Sequence, residues 1–367
     1  MSRIRRILTS VEAGGLLLMF TMACAIVSPS QTRDPDSPTT LGSTVPSNGD
    51  VNPYGVARVP RTVGSLVEGR FLVSNFNNAA NEQGTGTTIV QMQPNGTMQP
   101  FAQIDPTTTS CPGGIGLTTA LAALKSGFVV VGSLPTSDGT SATASAGCLI
   151  VLDSNGNVVE TITGHHVNGP WDMTAVDFGD KFVLFVTNVL NGTVEAGGNI
   201  VNQGTVVRLV FHVPSSGAPQ LSDSSVIASG FPERTDPAAL VIGPTGVAFD
   251  RRNGDLFVAD SLDNRIAVVH NALFRASVAG GHSTLSKGGA LNDPLGISLI
   301  GDDLYVANGN DGRMVEIHIE SGRQVDADFA DSSGGPPPGA GALFGLWALP
   351  GEVYFVDDAT NTFNVLH

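Results

Sequence analysis

Residues 243–272 read GPTGVAFDRRNGDLFVADSLDNRIAVVHNA. Three short apolar runs are separated by polar stretches of Asp, Asn, Arg and Gly, too closely spaced for helices of ordinary length. Runs of this length, rich in Val, Ile and Phe and bounded by turn residues, predict strands of an antiparallel meander. The opening hexapeptide follows a pattern of small residue, Pro, any residue, Gly, aliphatic, small residue. The second run, LFVAD, ends on a polar side chain.

The same pair of segments recurs along the chain. The first type appears as NPYGVA (52–57), GPWDMT (169–174), GPTGVA (243–248) and DPLGIS (293–298), with looser copies GLTTAL (116–121) and ALFGLW (342–347). The second follows each copy as FLVSN, VVVGS, LFVTN, LFVAD, LYVAN and YFVDD. After most of these comes a third apolar run, as in TTIVQMQPNG or GCLIVLDSNG, and then a weaker fourth strand such as MQPFAQI. Repetition at long period is the mark of a stacked or radial architecture. Six such units, each a four-stranded antiparallel meander, predict an all-β, six-bladed β-propeller. The last copy ends after its third strand. The segment 39–55 has the look of a fourth strand and linker, so a strand near Leu41 to Val45 is expected to complete the last blade and join the two ends of the chain.

The units at 241–272 and 294–317 resemble NHL repeats, and the similarity extends over about residues 40–367, with blades four to six the closest. That resemblance implies a six-bladed propeller. It does not imply one activity, since propellers of this type include lyases, lactonases, ligand sensors, protein-binding platforms and RNA binders.

Composition bounds the function. The chain has 367 residues, 14% of them charged, with 45 Gly and 22 Pro and a formal net charge of −15. Its N-terminus places Arg3, Arg5 and Arg6 before an uncharged run from Ala13 to Val27. Fifteen residues rise only about 22 Å as a helix, short of a bilayer core, which predicts a secretory signal over 1–27. Either ordinary cleavage at Ala23-Cys24-Ala25 or lipidation of Cys24 fits this stretch, the second with Thr21 where a lipobox prefers Leu. Loss of Arg3, Arg5, Arg6 and Glu12 would leave 15 basic and 32 acidic residues, a net charge of −17. Such a surface repels nucleic acid. A polar linker over 28–40 and a propeller over 41–367 follow. The expected protein is exported, periplasmic or extracellular, monomeric, and associated with a membrane only through a lipid on Cys24. Cys111 and Cys148 then remain as an even pair, and in an exported protein the expectation is a disulfide clamping the blade-two loop.

Blade geometry sorts the candidate residues. The first strand leaves one face of the disc and the second returns to it, so the polar ends of the second strands share that face. Asn75, Ser133, Asn188, Asp260, Asn308 and Asp358 are expected there, around the channel mouth. Two readings apply: such residues support turns through side-chain hydrogen bonds, or their oxygens hold a divalent cation, calcium for an oxygen set or zinc if imidazole joins. Resemblance to lactonase-like propellers implies a Glu, Asn, Asn and Asp metal set, and the ring here carries no Glu. Asp172 stands where most blades carry Gly, with His165, His166 and Asn168 just before it. One histidine with Asp172 could serve as a general base or a zinc site; loop hydrogen bonding is the plainer account. Trp171 could stack on a flat ligand or pack between blades. The long second-to-third-strand loops, about 76–86, 134–147 and 189–204, all belong to blades one to three. Loops gathered on one face point to a binding surface there, with Asn75, Ser133, Asn168, Trp171 and Asn188 as candidate contacts for a small molecule or protein partner. The leading expectation is therefore a non-catalytic binding propeller. The alternative is a metal-dependent lyase or lactonase-type hydrolase using Asp172, His165 or His166, Asn188, Asp260, Asn308 and Asp358. No Gly-x-Ser-x-Gly elbow or phosphate loop is present, so neither serine acyl transfer nor nucleotide hydrolysis has a motif behind it.

Overall fold

The computed structural model describes residues 37–367, apart from 94, 277–279, 281 and 334. The expected signal segment, Cys24 and most of the linker lie outside the described residues. The rest is an all-β propeller of six antiparallel sheets. Strands within a blade are lettered A to D from the axis outward. The six A strands are Val51–Arg58, Leu117–Ala123, Pro170–Asp177, Pro244–Phe249, Pro294–Ile300 and Leu343–Leu349. Each packs on the next and the sixth returns to the first, which closes the ring.

Blade six draws three strands from the C-terminus and its fourth from Thr39–Ser43, which pairs antiparallel with Thr362–Leu366. The closing strand therefore starts two residues before Leu41, and the last two positions of the expected linker belong to it. Blade three departs from the four-stranded plan. Its strand D, Gln220–Asp236, outruns the blade and folds back through a short fifth strand, Leu240–Ile242.

Adjacent blades bury their apolar faces against each other, giving one core cluster per interface between blades one and six in turn. The cluster joining blades six and one continues over the axis. Phe71, Phe182, Phe185, Phe211, Phe355 and Phe363 are fully buried in these seams, each worth about 1.5–3 kcal/mol of transfer free energy. Alternation puts successive residues of a strand against opposite neighbours, and the near-continuous apolar runs of strands B and C follow from burial on both faces.

The repeat glycine has a packing role. Strand pairing jumps from Pro244↔Asp260 to Val247↔Val258 and from Pro294↔Asn308 to Ile297↔Val306, so a bulge sits at Gly246 and Gly296. A Cβ at Gly246 would collide with the Leu295 carbonyl, and one at Gly345 with that of Tyr54. Only glycine lets neighbouring A strands approach so closely. Cys111 and Cys148 form the expected disulfide, with Cα atoms 5.4 Å apart and a sequence separation of 37.

Candidate functional site: the axial cavity and its closed upper mouth

The variable residues of four opening hexapeptides, Tyr54, Trp171, Leu295 and Phe344, meet in one apolar cluster over the axis on the face that carries the long loops. Tyr54 stacks on Phe344 at 4.0 Å between ring centroids and on Phe76 at 4.5 Å, and its ring lies 6.4 Å from that of Trp171. Blades one and three are not neighbours, so Tyr54 and Trp171 approach across the axis. Trp171 is thus part of an axial plug, neither free for a ligand nor confined to a seam between two blades.

The blade-three hairpin completes the plug. Asp236 accepts hydrogen bonds from the amides of Ala238 (2.8 Å) and Ala239 (3.1 Å), which tightens the turn. Leu240, at φ 61°, and Val241 are buried in the same apolar cluster as Tyr54, Phe76, Leu134 and Trp171. The gap left among them is about 10 Å3, no more than one water needs. The long loops lock over it: Gln83 Nε2 donates to Ala238 O at 3.1 Å, and the Thr136 amide donates to Gly84 O at 3.0 Å. The loop face, where a ligand was expected, is sealed at its centre.

The polar strand-B ends make short-range hydrogen bonds or ion pairs, with Asn75 Oδ1 and Asp260 Oδ1 buried and left without a partner among the described residues. Ser133 Oγ accepts from the Gly116 amide at 3.0 Å and donates to Gly114 O at 3.1 Å. Asn75 Nδ2 donates to Thr44 O at 3.2 Å. Asn188 Oδ1 accepts from the Asn168 amide at 3.2 Å, and Asn308 Oδ1 from the Asn292 amide at 3.1 Å. Asp260 is paired with Arg265 at 2.7 Å. The contacts of Asn75, Ser133, Asn188 and Asn308 pin the preceding D-to-A linker to the strand beneath it, whereas Asp260 pairs with the first residue of strand C in its own blade. In blade six the register Leu343↔Asp357 makes Asp357 the equivalent residue, one position before the expected Asp358. Asp260 faces a guanidinium, and among the described residues no three His, Cys, Asp or Glu side chains gather.

The histidines stand apart from Asp172. His165 and His166 both have positive φ, 51° and 68°, and form the exposed tip of a turn whose flanks Gly164 and Val167 bridge. The stretch is a tight turn at the surface. Asn168 below it donates through Nδ2 to Leu190 O and Asn191 Oδ1, both at 2.8 Å. Glu233 on the hairpin, which no motif marked, accepts from the Asn191 amide at 3.0 Å, and burial pushes its carboxyl up to about 8.

Asp172 instead faces the one large axial space. Its Oδ2 accepts from the Val247 amide of the next blade at 2.9 Å, filling the position where other blades close up on glycine. Burial pushes its carboxyl up to about 8 against the lowering effect of the Val247 and Met173 amides, so at neutral pH it is largely protonated. Below it lies a cavity of about 460 Å3, lined by the lower halves of the A strands. Val56, Leu121, Met173, Val247, Ile297 and Leu346 form its upper wall, with Thr174, Ser298 and Trp347 further down. It opens on the face opposite the long loops. Arg58, Lys125, Arg251 and Asp177 border it there. Asp177 spends its carboxylate on the amides of Lys125 (2.6 Å) and Gly179 (2.7 Å). Among the described residues none of the three cations forms a salt bridge.

No protein-family model and no curated protein matches this chain in sequence. Solved structures match it in shape. It is similar to a gluconolactonase from Xanthomonas campestris (11% identity, 87% of this chain and 86% of that one covered, TM-score 0.52). It is also similar to the PQQ-bound aldose sugar dehydrogenase from Streptomyces coelicolor (16% identity, 90% and 97% covered, TM-score 0.53), and to a chain of a nidogen/laminin complex (12% identity, 76% and 80% covered, TM-score 0.49). At these identities the likeness shows the propeller fold alone.

Proposed function

We propose that this protein is an exported NHL-type propeller that binds a small amphipathic anion in its axial cavity, reached from the face opposite the long loops. The observation that carries the reading is the cavity itself: about 460 Å3, with apolar and polar lining and cations at the opening. That size and lining suit a small ligand. Apolar walls take the body of the molecule, and Asp172 offers one hydrogen bond at the closed end. Arg58, Lys125 and Arg251 attract an anionic head in a protein whose formal charge is −15, and such local clustering against the overall sign is electrostatic complementarity to a ligand. Export is supported by the signal-like N-terminus and the disulfide, and the NHL assignment by the repeat pattern. The long loops act as a seal that makes the cavity blind.

A matched pair of probes tests this: 1-anilinonaphthalene-8-sulfonate and neutral N-phenyl-1-naphthylamine, which share an aromatic body and differ by the sulfonate. Thr174→Trp, which fills the cavity from strand A of blade three, should weaken both by about tenfold or more. Lys125→Glu with Arg251→Glu should weaken the sulfonate by about tenfold, equivalent to about 1.4 kcal/mol, and leave the neutral probe unchanged. Binding indifferent to Thr174→Trp would remove the cavity as the site. Equal responses of the two probes to charge reversal would remove the anionic head.

A further inference from the structure

A second constellation lies on the lower edge of blade four, away from the axis. Asp255 precedes strand B (Leu256–Asp260), His270 follows strand C (Arg265–Val269), and Ser283 opens strand D (Ser283–Lys287). The pairings Leu256↔Val269 and Val268↔Ser283 set the three in a row across adjacent strands. His270 Nδ1 is 3.0 Å from Asp255 Oδ1, and His270 Nε2 is 3.0 Å from Ser283 Oγ. A carboxylate only accepts, so Nδ1 carries the proton and Nε2 is the acceptor for the serine hydroxyl. Asp255 is itself oriented, since its Oδ2 accepts from Asn253 Nδ2 at 3.2 Å.

All three side chains line one cavity of about 440 Å3 between blades four and five. Phe257, Val268, Leu285 and Ile319 supply its apolar wall. Arg252 lines it too, anchored by Asp250 and Asp302 through three of its N–H groups. A guanidinium has five, which leaves donors for a developing oxyanion.

We propose that Ser283, His270 and Asp255 form a nucleophilic triad that cleaves small acyl esters in this cavity. The order of contacts is the one a serine nucleophile needs: a base on the hydroxyl and a carboxylate on the far nitrogen of the base. Ser283 Oγ attacks the ester carbonyl carbon while its proton passes to His270 Nε2. The carbon–oxygen bond to the alcohol breaks, and the alcohol leaves with that proton. Water then attacks the acyl-serine and gives a proton to Nε2; the acyl carbon–Oγ bond breaks, Nε2 returns that proton to Ser283 Oγ, and the carboxylic acid leaves. Asp255 is a positioning residue, and Arg252 balances the negative charge on the carbonyl oxygen.

The test is labelling of the purified full-length chain with a fluorophosphonate bearing a fluorophore, a reaction that forms Oγ–P, breaks P–F and passes the proton to His270. The expected label is on the peptide containing Ser283 and absent in Ser283→Ala. His270→Ala should slow labelling by about 100-fold or more, the range of a general base, and Asp255→Asn by a smaller factor with unchanged circular dichroism. Hydrolysis of p-nitrophenyl acetate should fall in parallel. Ser283 and His270 are exposed, so their variants should fold, as unchanged circular dichroism would show. No label on Ser283 of the native chain, or labelling equally fast in His270→Ala, would overturn the proposal.

Discussion

Asp172 shows how one side chain can replace a backbone contact. In blades four to six the A strands close up on glycine, whereas here a carboxyl bridges to the Val247 amide at 2.9 Å. Because its folded pKa, about 8, is above the ordinary 3.8, the folded state holds a proton that the unfolded chain releases between those values. Its stabilising effect is complete below about pH 4 and is lost as pH rises toward 8. Asp172→Asn keeps the acceptor and removes the titration. Urea unfolding at pH 5 and pH 8 should show a smaller loss of stability in the variant than in the native protein. Glu233, also raised to about 8 by burial, retains part of the slope in both. The sequence marks Asp172 as unusual through the glycine pattern, but its burial and its partner 75 residues away are properties of the assembled ring.

At the level of elements, the blade-three hairpin decides which mouth of the channel is open. It is a continuation of strand D whose apolar tip, Leu240-Val241, reaches the axis and meets Tyr54, Phe76 and Trp171. Leu240→Ala removes a side chain that is 1% exposed and should cost about 2–4 kcal/mol, as large-to-small changes in packed cores do. The variant should also gain a second probe-binding mode on the loop face that Thr174→Trp does not block. Equilibrium unfolding and a probe titration of the double variant check both expectations. In sequence Val241 and Ile242 belong to the repeat unit that opens blade four, and nothing there marks them as a hairpin of blade three. What makes it a plug is distance across the ring, which periodicity cannot express.

For the whole molecule, closure is the dominant constraint. The strand Thr39–Ser43 ties the two ends of the described chain, and Thr44 adds a hydrogen bond from Oγ1 to Asn361 O at 3.0 Å. A chain lacking residues 1–43 leaves Phe363 and Val365, now buried, with less cover. It should lose on the order of 3 kcal/mol by the area uncovered and unfold at lower temperature in a calorimetric scan. An unchanged transition would mean that blade six is held by its neighbours alone.

The sequence by itself determined the number of blades, their strand order, the closing strand and the disulfide. The blades and strands follow from period-two alternation, turn residues and repeat spacing, and the disulfide from an even pair of cysteines behind a signal-like N-terminus. Its reading of the ring ends slipped by one residue at Asp357-Asp358, because two adjacent aspartates look alike until strand pairing distinguishes them. The tertiary structure alone decided which face is sealed, where Asp172 points, and that Asp255, His270 and Ser283 meet. The first two come from contacts between residues far apart in the chain, whose distances are set by how six twisted sheets close around one axis; the third comes from strand register within blade four.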